Sequence, residues 1–86
     1  MTPASSIFWN RGAKTLLDVG DPNLAAGMYF GSMKNGPKSY GILLVLGSGA
    51  AYYTGQFFIG WNDAANSTSV HARVYRQGAW ENWISL

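Results

Sequence analysis

The chain has 86 residues, a formal net charge of +2 and charged residues at only 12% of its positions. This length fits one small domain, and the lack of cysteine excludes a disulfide framework, a thiolate zinc site and a cysteine nucleophile. The basic residues are scattered and form no run, so we expect no nucleic-acid partner.

Two further features concern membranes and export. The longest apolar stretch, residues 42–46, is far too short to span a bilayer, so we expect no membrane insertion. Residues 1–6 lack a basic start followed by an apolar core, so we expect no signal peptide.

The first part of the chain, residues 1–26, shows no sustained periodicity and is interpreted as a lead-in segment. A strand or a helical turn is possible near residues 15–18, before a Gly-Asp-Pro-Asn break at 20–23. Exposing Phe8 and Trp9 on a free arm is costly, so we expect both to pack on the body or on a neighbouring chain.

Residues 27–86 have the signals of strands separated by turns and are predicted to form one β domain. The expected strands cover residues 27–33, 40–46, 54–61, 69–77 and 80–86, joined by turns rich in Gly and Asn. Their regular spacing favours an all-β antiparallel meander curled into a small barrel or sandwich. The strand at 40–46 is apolar on both faces, which predicts a central strand covered on each side.

Alternation in the last two strands assigns their faces. In 69–77 we expect the aliphatic residues to point inward and His71, Arg73 and Tyr75 to point outward. Trp80 and Trp83 are an odd step apart, which predicts opposite faces, one in the core and the other exposed or at a subunit interface. We assign Phe8, Trp9 and Trp83 to that interface.

Catalytic chemistry is weakly represented. The four carboxylates include Asp63 and Glu81, which could approach each other in space, but nothing else suggests a hydrolase. His71 is the only histidine, so it has no second imidazole for a metal site and no nucleophile elbow beside it. We expect no catalytic residue, no metal and no cofactor.

Polar and aromatic residues at the junction of two strands suggest a different function. If the strands at 54–61 and 69–77 pair as a hairpin, their rings, amides and charges share neighbouring surface. Sugars bind to such surfaces, since a ring stacks on the apolar face of a pyranose and planar polar groups bind its hydroxyls. The predicted ligand-binding residues are Trp61, Asn62, Asp63, His71, Arg73 and Tyr75.

Several short motifs, in order and over residues 27–86, carry a resemblance to a known family. They are Gly-Met-Tyr at 27–29, Asn-Gly-Pro at 35–37, Gly-Ile-Leu-Leu-Val at 41–45, Gly-Gln-Phe-Phe at 55–58, Arg-Val-Tyr-Arg at 73–76 and Trp-Glu-Asn-Trp at 80–83. Together they resemble the pyocin knob family, the C-terminal tip domains of phage and R-type pyocin tail fibres.

The resemblance implies a homotrimeric all-β tip of a virion tail fibre that is made in the bacterial cytoplasm and acts outside the producing cell, at the host surface. Its expected partner is a bacterial surface glycan or lipopolysaccharide. Three alternatives remain open: a structural trimerisation cap without receptor contact, a depolymerising enzyme that uses Asp63 and Glu81, and a stand-alone carbohydrate-binding module.

Overall fold

The computed structural model describes residues 9–47 and 54–86, which form one seven-stranded sheet and no helix. The expectation of an all-β chain is therefore confirmed. The strands are β1 (Asn10–Asp18), β2 (Gly27–Lys34), β3 (Tyr40–Gly47), β4 (Thr54–Trp61), β5 (Ser69–Arg76), β6 (Ala79–Trp80) and β7 (Ile84–Ser85).

Strands β2 to β5 form the expected antiparallel meander, each paired with its neighbour along the chain. The two short strands β6 and β7 both pair with β5, so the predicted single strand over residues 80–86 is interrupted. The described strands make an open sheet, and the expected closure into a barrel or sandwich is not found among them.

The segment that we interpreted as a lead-in contributes a full strand to this sheet. Strand β1 pairs with β2 in parallel, which the sequence did not indicate. Parallel neighbours require the chain to return across the sheet, and residues 19–26 make this return. We call residues 19–26 the crossover strap. The strap lies on the inner face of the sheet, where Val19 is fully buried.

The strap and the inner face enclose the core. Its buried apolar residues are Val19, Tyr29, Met33, Leu43, Val45 and Phe58. The Tyr29 hydroxyl donates to the carbonyl of Ala25 in the strap at 2.7 Å. The ring of Phe58 lies over Gly41, where a Cβ atom would come within 2.5 Å of it. The glycine is required at this position because a side chain would displace the ring.

The opposite face, which we call the outer apolar face, consists of cross-strand rows that no described element covers. Residues directly opposite each other in a sheet share a face, so the register defines the rows. They are Ser32, Tyr40 and Trp61; Phe30, Ile42, Ile59 and Val70; Met28, Leu44, Phe57, Ala72 and Ile84; and Leu46, Gly55 and Val74. The central position of β3 is confirmed, and the described residues cover only its inner side.

Candidate functional site

The predicted ligand-binding residues are divided between the two faces of the sheet. Trp61 is opposite Tyr40 on the outer face, and Asn62 and Asp63 follow it in an exposed loop. His71 and Arg73 are opposite Phe58 and Gln56, on the inner face. The hairpin forms as expected, but it does not bring the six residues together.

The outward orientation that we expected for His71, Arg73 and Tyr75 is wrong. The side chain of His71 is buried, and those of Arg73 and Tyr75 are half-buried. Val74, which we expected to face the core, is 43% exposed. The cause is tertiary, because the inner face offers polar and aromatic partners that sequence alternation cannot reveal.

Arg73 shows what these partners are. Its Nε donates to Oε1 of Gln56 at 2.8 Å, and its Nη2 donates to the carbonyl of Val19 in the strap at 3.0 Å. The guanidinium carbon lies 4.0 Å from the ring centroid of Trp80 and 4.1 Å from that of Trp83. Arg73 is therefore held between two indole rings by cation–π contacts while it joins β4, β5 and the strap.

Burial lowers the pKa of Arg73 to about 10, and the negative charge of Asp18 partly opposes this change. A group with that pKa remains protonated near neutral pH, so the cation–π contacts persist there. The arrangement is a structural one, since the rings and acceptors already occupy the guanidinium.

Trp80 and Trp83 occupy the same face, contrary to the prediction from their odd spacing. Between Trp80 and Ile84 the chain places three residues opposite only two on β5, Arg73 and Val74. This extra residue is a β-bulge, and it reverses the alternation so that Trp83 points inward. Trp83 contacts Phe58 and His71 within its own chain, with ring centroids 6.0 and 6.3 Å away.

The other residues that we assigned to a subunit interface lie at the start of the chain. Trp9 is 54% exposed, with the guanidinium of Arg11 4.9 Å from its ring centroid. Phe8 falls outside the described residues.

His71 is hydrogen-bonded through both ring nitrogens. Its Nε2 lies 2.7 Å from the hydroxyl of Ser69, and its Nδ1 lies 3.2 Å from the hydroxyl of Ser85. A serine beside a histidine is the beginning of a nucleophilic site, but the third group here is a neutral hydroxyl. Such a group supplies no negative charge to stabilise an imidazolium, so the cluster fits a structural histidine better than a catalytic one.

The two carboxylates that could have formed a hydrolytic pair lie at opposite ends of β4. Asp63 follows the end of that strand, whereas Glu81 is next to Val74 and Arg76, which are near its beginning. An eight-residue strand separates them by on the order of 20 Å, well beyond the spacing of glycosidase carboxylates. The structure therefore does not bring Asp63 and Glu81 together.

An exposed polar and aromatic surface lies at the open end of the β3–β4 hairpin, where Trp61 is followed by an exposed loop. Trp61 is 39% exposed, and its cross-strand neighbour Tyr40 is half-buried on the same face. Sequence reasoning missed Tyr40, although the near-symmetrical hairpin between residues 40 and 61 was a signal that could have indicated it.

The loop after Trp61 is fixed by its own hydrogen bonds. Oδ1 of Asn62 accepts from the backbone N–H of Ser39 at 3.1 Å, and the N–H of Asn62 donates to the Ser67 hydroxyl at 2.9 Å. That hydroxyl also donates to the carbonyl of Ala64. Asn62 therefore positions the loop, and Asp63 is exposed beside Trp61 on an ordered turn.

The carboxylate of Asp18 is hydrogen-bonded at the end of β1, where the strap begins. Oδ1 of Asp18 accepts from the Asn35 amide and from the backbone N–H of Gly20, both at 2.9 Å. These hydrogen bonds, that of Asn35 most strongly, lower the pKa of Asp18 below its ordinary value. The contact ties the turn after β2 to the beginning of the strap.

Within residues 9–47 and 54–86, no group of three or more His, Cys, Asp or Glu side chains is placed to hold a metal ion. That part of the chain also contains no helix of the length and apolarity needed to cross a membrane. Comparison of the chain with family models, curated proteins and solved structures finds no match.

Proposed function

We propose that this chain is a non-catalytic recognition module that contacts a bacterial surface glycan, like the tip domains of phage and pyocin tail fibres. In this proposal it acts outside the producing cell as the homotrimeric end of a fibre. The family resemblance of residues 27–86 supplies the fibre context.

The observation that carries the proposal is the exposed pair of Trp61 and Tyr40 beside the ordered loop that begins at Asn62. An indole that is 39% exposed at the edge of a rigid sheet can stack on a pyranose face. Asp63 next to it can accept hydrogen bonds from sugar hydroxyls. Because the loop is ordered before binding, little conformational entropy is lost when a glycan binds.

This site is smaller than the one predicted from the sequence. His71, Arg73 and Tyr75 have structural roles on the inner face. The residues proposed to contact the glycan are therefore Trp61, Tyr40 and Asp63. Asn62 acts as a positioning residue through its bond to Ser39.

A glycan array with the purified chain tests the proposal, followed by titration of any ligand found. We expect Trp61→Ala to weaken binding about tenfold or more, because truncation of a central aromatic contact costs at least about 1.4 kcal/mol. Trp9→Ala is the matched control, since Trp9 is also exposed but lies beside β1, three strands away from β4 in the sheet. Equal binding by wild type and Trp61→Ala would contradict this site.

The alternative function is a structural trimerisation cap without receptor contact, and the outer apolar face favours it. A folded oligomer that binds nothing on the array would support the cap in place of the recognition module.

A further inference from the structure

The outer apolar face is unusual for a sheet that faces solvent. Antiparallel sheets with one solvated face normally carry polar residues on it. Here the rows from β2 to β5 contain no charged side chain, and their two central rows are entirely apolar. The margins of the face are exposed, as shown by Leu46, Trp61, Val74 and Ile84.

The size of this face is comparable to that of a protein interface. Four strands about 4.8 Å apart and four rows about 6.8 Å apart give roughly 500 Å² in projection. A contiguous apolar patch of that size is at the upper end of what monomeric proteins expose.

We propose that another copy of this chain covers the outer apolar face, with Ile42, Ile59, Leu44 and Phe57 at the centre of the contact. Two such faces together bury roughly 1,000 Å², which reaches the lower limit for a specific interface. The inference rests on the self-association in the proposed function but not on its trimeric state, because a face that packs on the same face of another copy forms a two-fold dimer. This interface also differs from the one predicted at Phe8, Trp9 and Trp83.

Charge favours a second copy over a partner of another kind. The four rows lack charges, so they meet the same rows of another copy without like-charge repulsion and offer no ion pair to a charged partner. The charged residues on the same side of these strands, Lys34 and Arg76, lie at strand ends outside the rows. Sheets pack face to face about 10 Å apart through interdigitated side chains, and Gly55 leaves space beside Leu46 and Val74 for a side chain of the other copy. Trp61 lies in an end row and stays at the rim of such a contact.

Native mass spectrometry and light scattering of the wild-type chain, from about 1 µM to about 200 µM, give the first test. We expect a dimer at these concentrations, because the contact between two identical faces is two-fold. The variant Ile59→Glu places a charge at the centre of the contact and should raise the dissociation constant about a hundredfold or more. Leu16→Glu, which changes an exposed leucine of β1, is the matched control and should assemble like wild type.

Circular dichroism of each variant checks that the sheet has formed. If Ile59→Glu does not fold, Val74→Glu replaces it, because that side chain is already 43% exposed in the isolated chain. A monomeric wild-type chain at about 200 µM overturns the inference, and so does an unchanged oligomer in a folded Ile59→Glu or Val74→Glu variant.

The outcomes separate this inference from the proposed function. A monomer that binds glycans through Trp61 leaves recognition intact and removes the interface. An oligomer that resists charges on the outer apolar face leaves the homo-oligomer intact and places its contact elsewhere. If Ile59→Glu or Val74→Glu dissociates and the wild-type chain binds no glycan, the interface is supported and the structural cap is favoured over the recognition module.

Discussion

Arg73 connects several parts of the inner face. Its two hydrogen bonds reach β4 and the strap, and its two cation–π contacts reach β6 and the residues before β7. Lysine cannot reproduce this geometry, because an ammonium group has no planar face to stack and no fork of donors.

Arg73→Lys should therefore lower the free energy of unfolding by about 1–3 kcal/mol, measured by urea denaturation with tryptophan fluorescence. Arg76→Lys is the matched control on the same strand. Its side chain is exposed and lies 3.6 Å from Glu81, so we expect a change within about 0.5 kcal/mol. Similar losses in the two variants would show that the stacked position has no special role.

Asp18 gives the chain a specific sensitivity to acid. Since its folded-state pKa lies below the ordinary value of 3.8, the carboxylate stabilises the fold at pH values above 3.8. That contribution is lost as the pH falls through the folded-state pKa. We expect the urea midpoint to decrease from pH 5 to about pH 2.5, and Asp18→Asn to flatten this dependence.

The control for the acid series is Asp63→Asn, which changes an exposed carboxylate in the loop after β4. It should keep the pH dependence of the wild-type chain. If Asp18→Asn remains as acid-sensitive as Asp63→Asn, the hydrogen bonds from Asn35 and Gly20 do not account for the effect.

Sequence patterns predicted where the strands lie along the chain better than which face of each strand is buried. The strand predicted at 54–61 matches β4, and those at 27–33, 40–46 and 69–77 differ from the structure by one residue at one end. For β5, alternation established two faces but could not decide which one was inner. We predicted that the aliphatic face of β5 points inward because aliphatic side chains are usually buried. In the structure, the strap carbonyls and the indole rings stabilise the polar face of β5 on the inner side of the sheet.

The bulge before β7 is a second feature that local pattern cannot predict. An extra residue is visible only when the partner strand is known, because it exists in the register and not in the sequence. The two tryptophans three residues apart therefore misled the prediction, although both contact Arg73 in the structure.

Deletion of Asn82 should remove this bulge. With the registers of β6 and β7 unchanged, Trp83 is then directly opposite Arg73 and stays on the inner face, so we expect the stack to keep both rings and the free energy of unfolding to change by no more than about 1 kcal/mol. Tryptophan emission should stay close to that of the wild-type chain. Asn82→Ala keeps the residue count and is the control, and we expect it to retain nearly wild-type stability and emission.

A deletion variant with red-shifted emission and a large loss of stability would contradict this register. It would mean that Trp83 needs the extra residue to reach the inner face.

For the whole molecule, composition and spacing predicted the all-β class and the meander from β2 to β5. They did not predict the parallel strand β1 or the strap, because neither has a local signal. The partners of Val19 are Lys34, Gln56 and Arg73, which lie far along the chain. The candidate glycan site was predicted in part, since Trp61 and Asp63 are exposed, and half of its predicted residues belong to the inner face.

Folding of this sheet depends on contacts between distant parts of the chain. The carbonyl of Gly20 in the strap accepts the indole N–H of Trp80, 60 residues further on. Hairpins such as β3–β4 close locally on the microsecond scale, whereas the strap needs β4 and β5 as a surface to settle on. We therefore expect the meander to form first and the strap to pack on it last. In the transition state for folding, the hairpins are formed but the contacts of Arg73 with Trp80 and Trp83 are not.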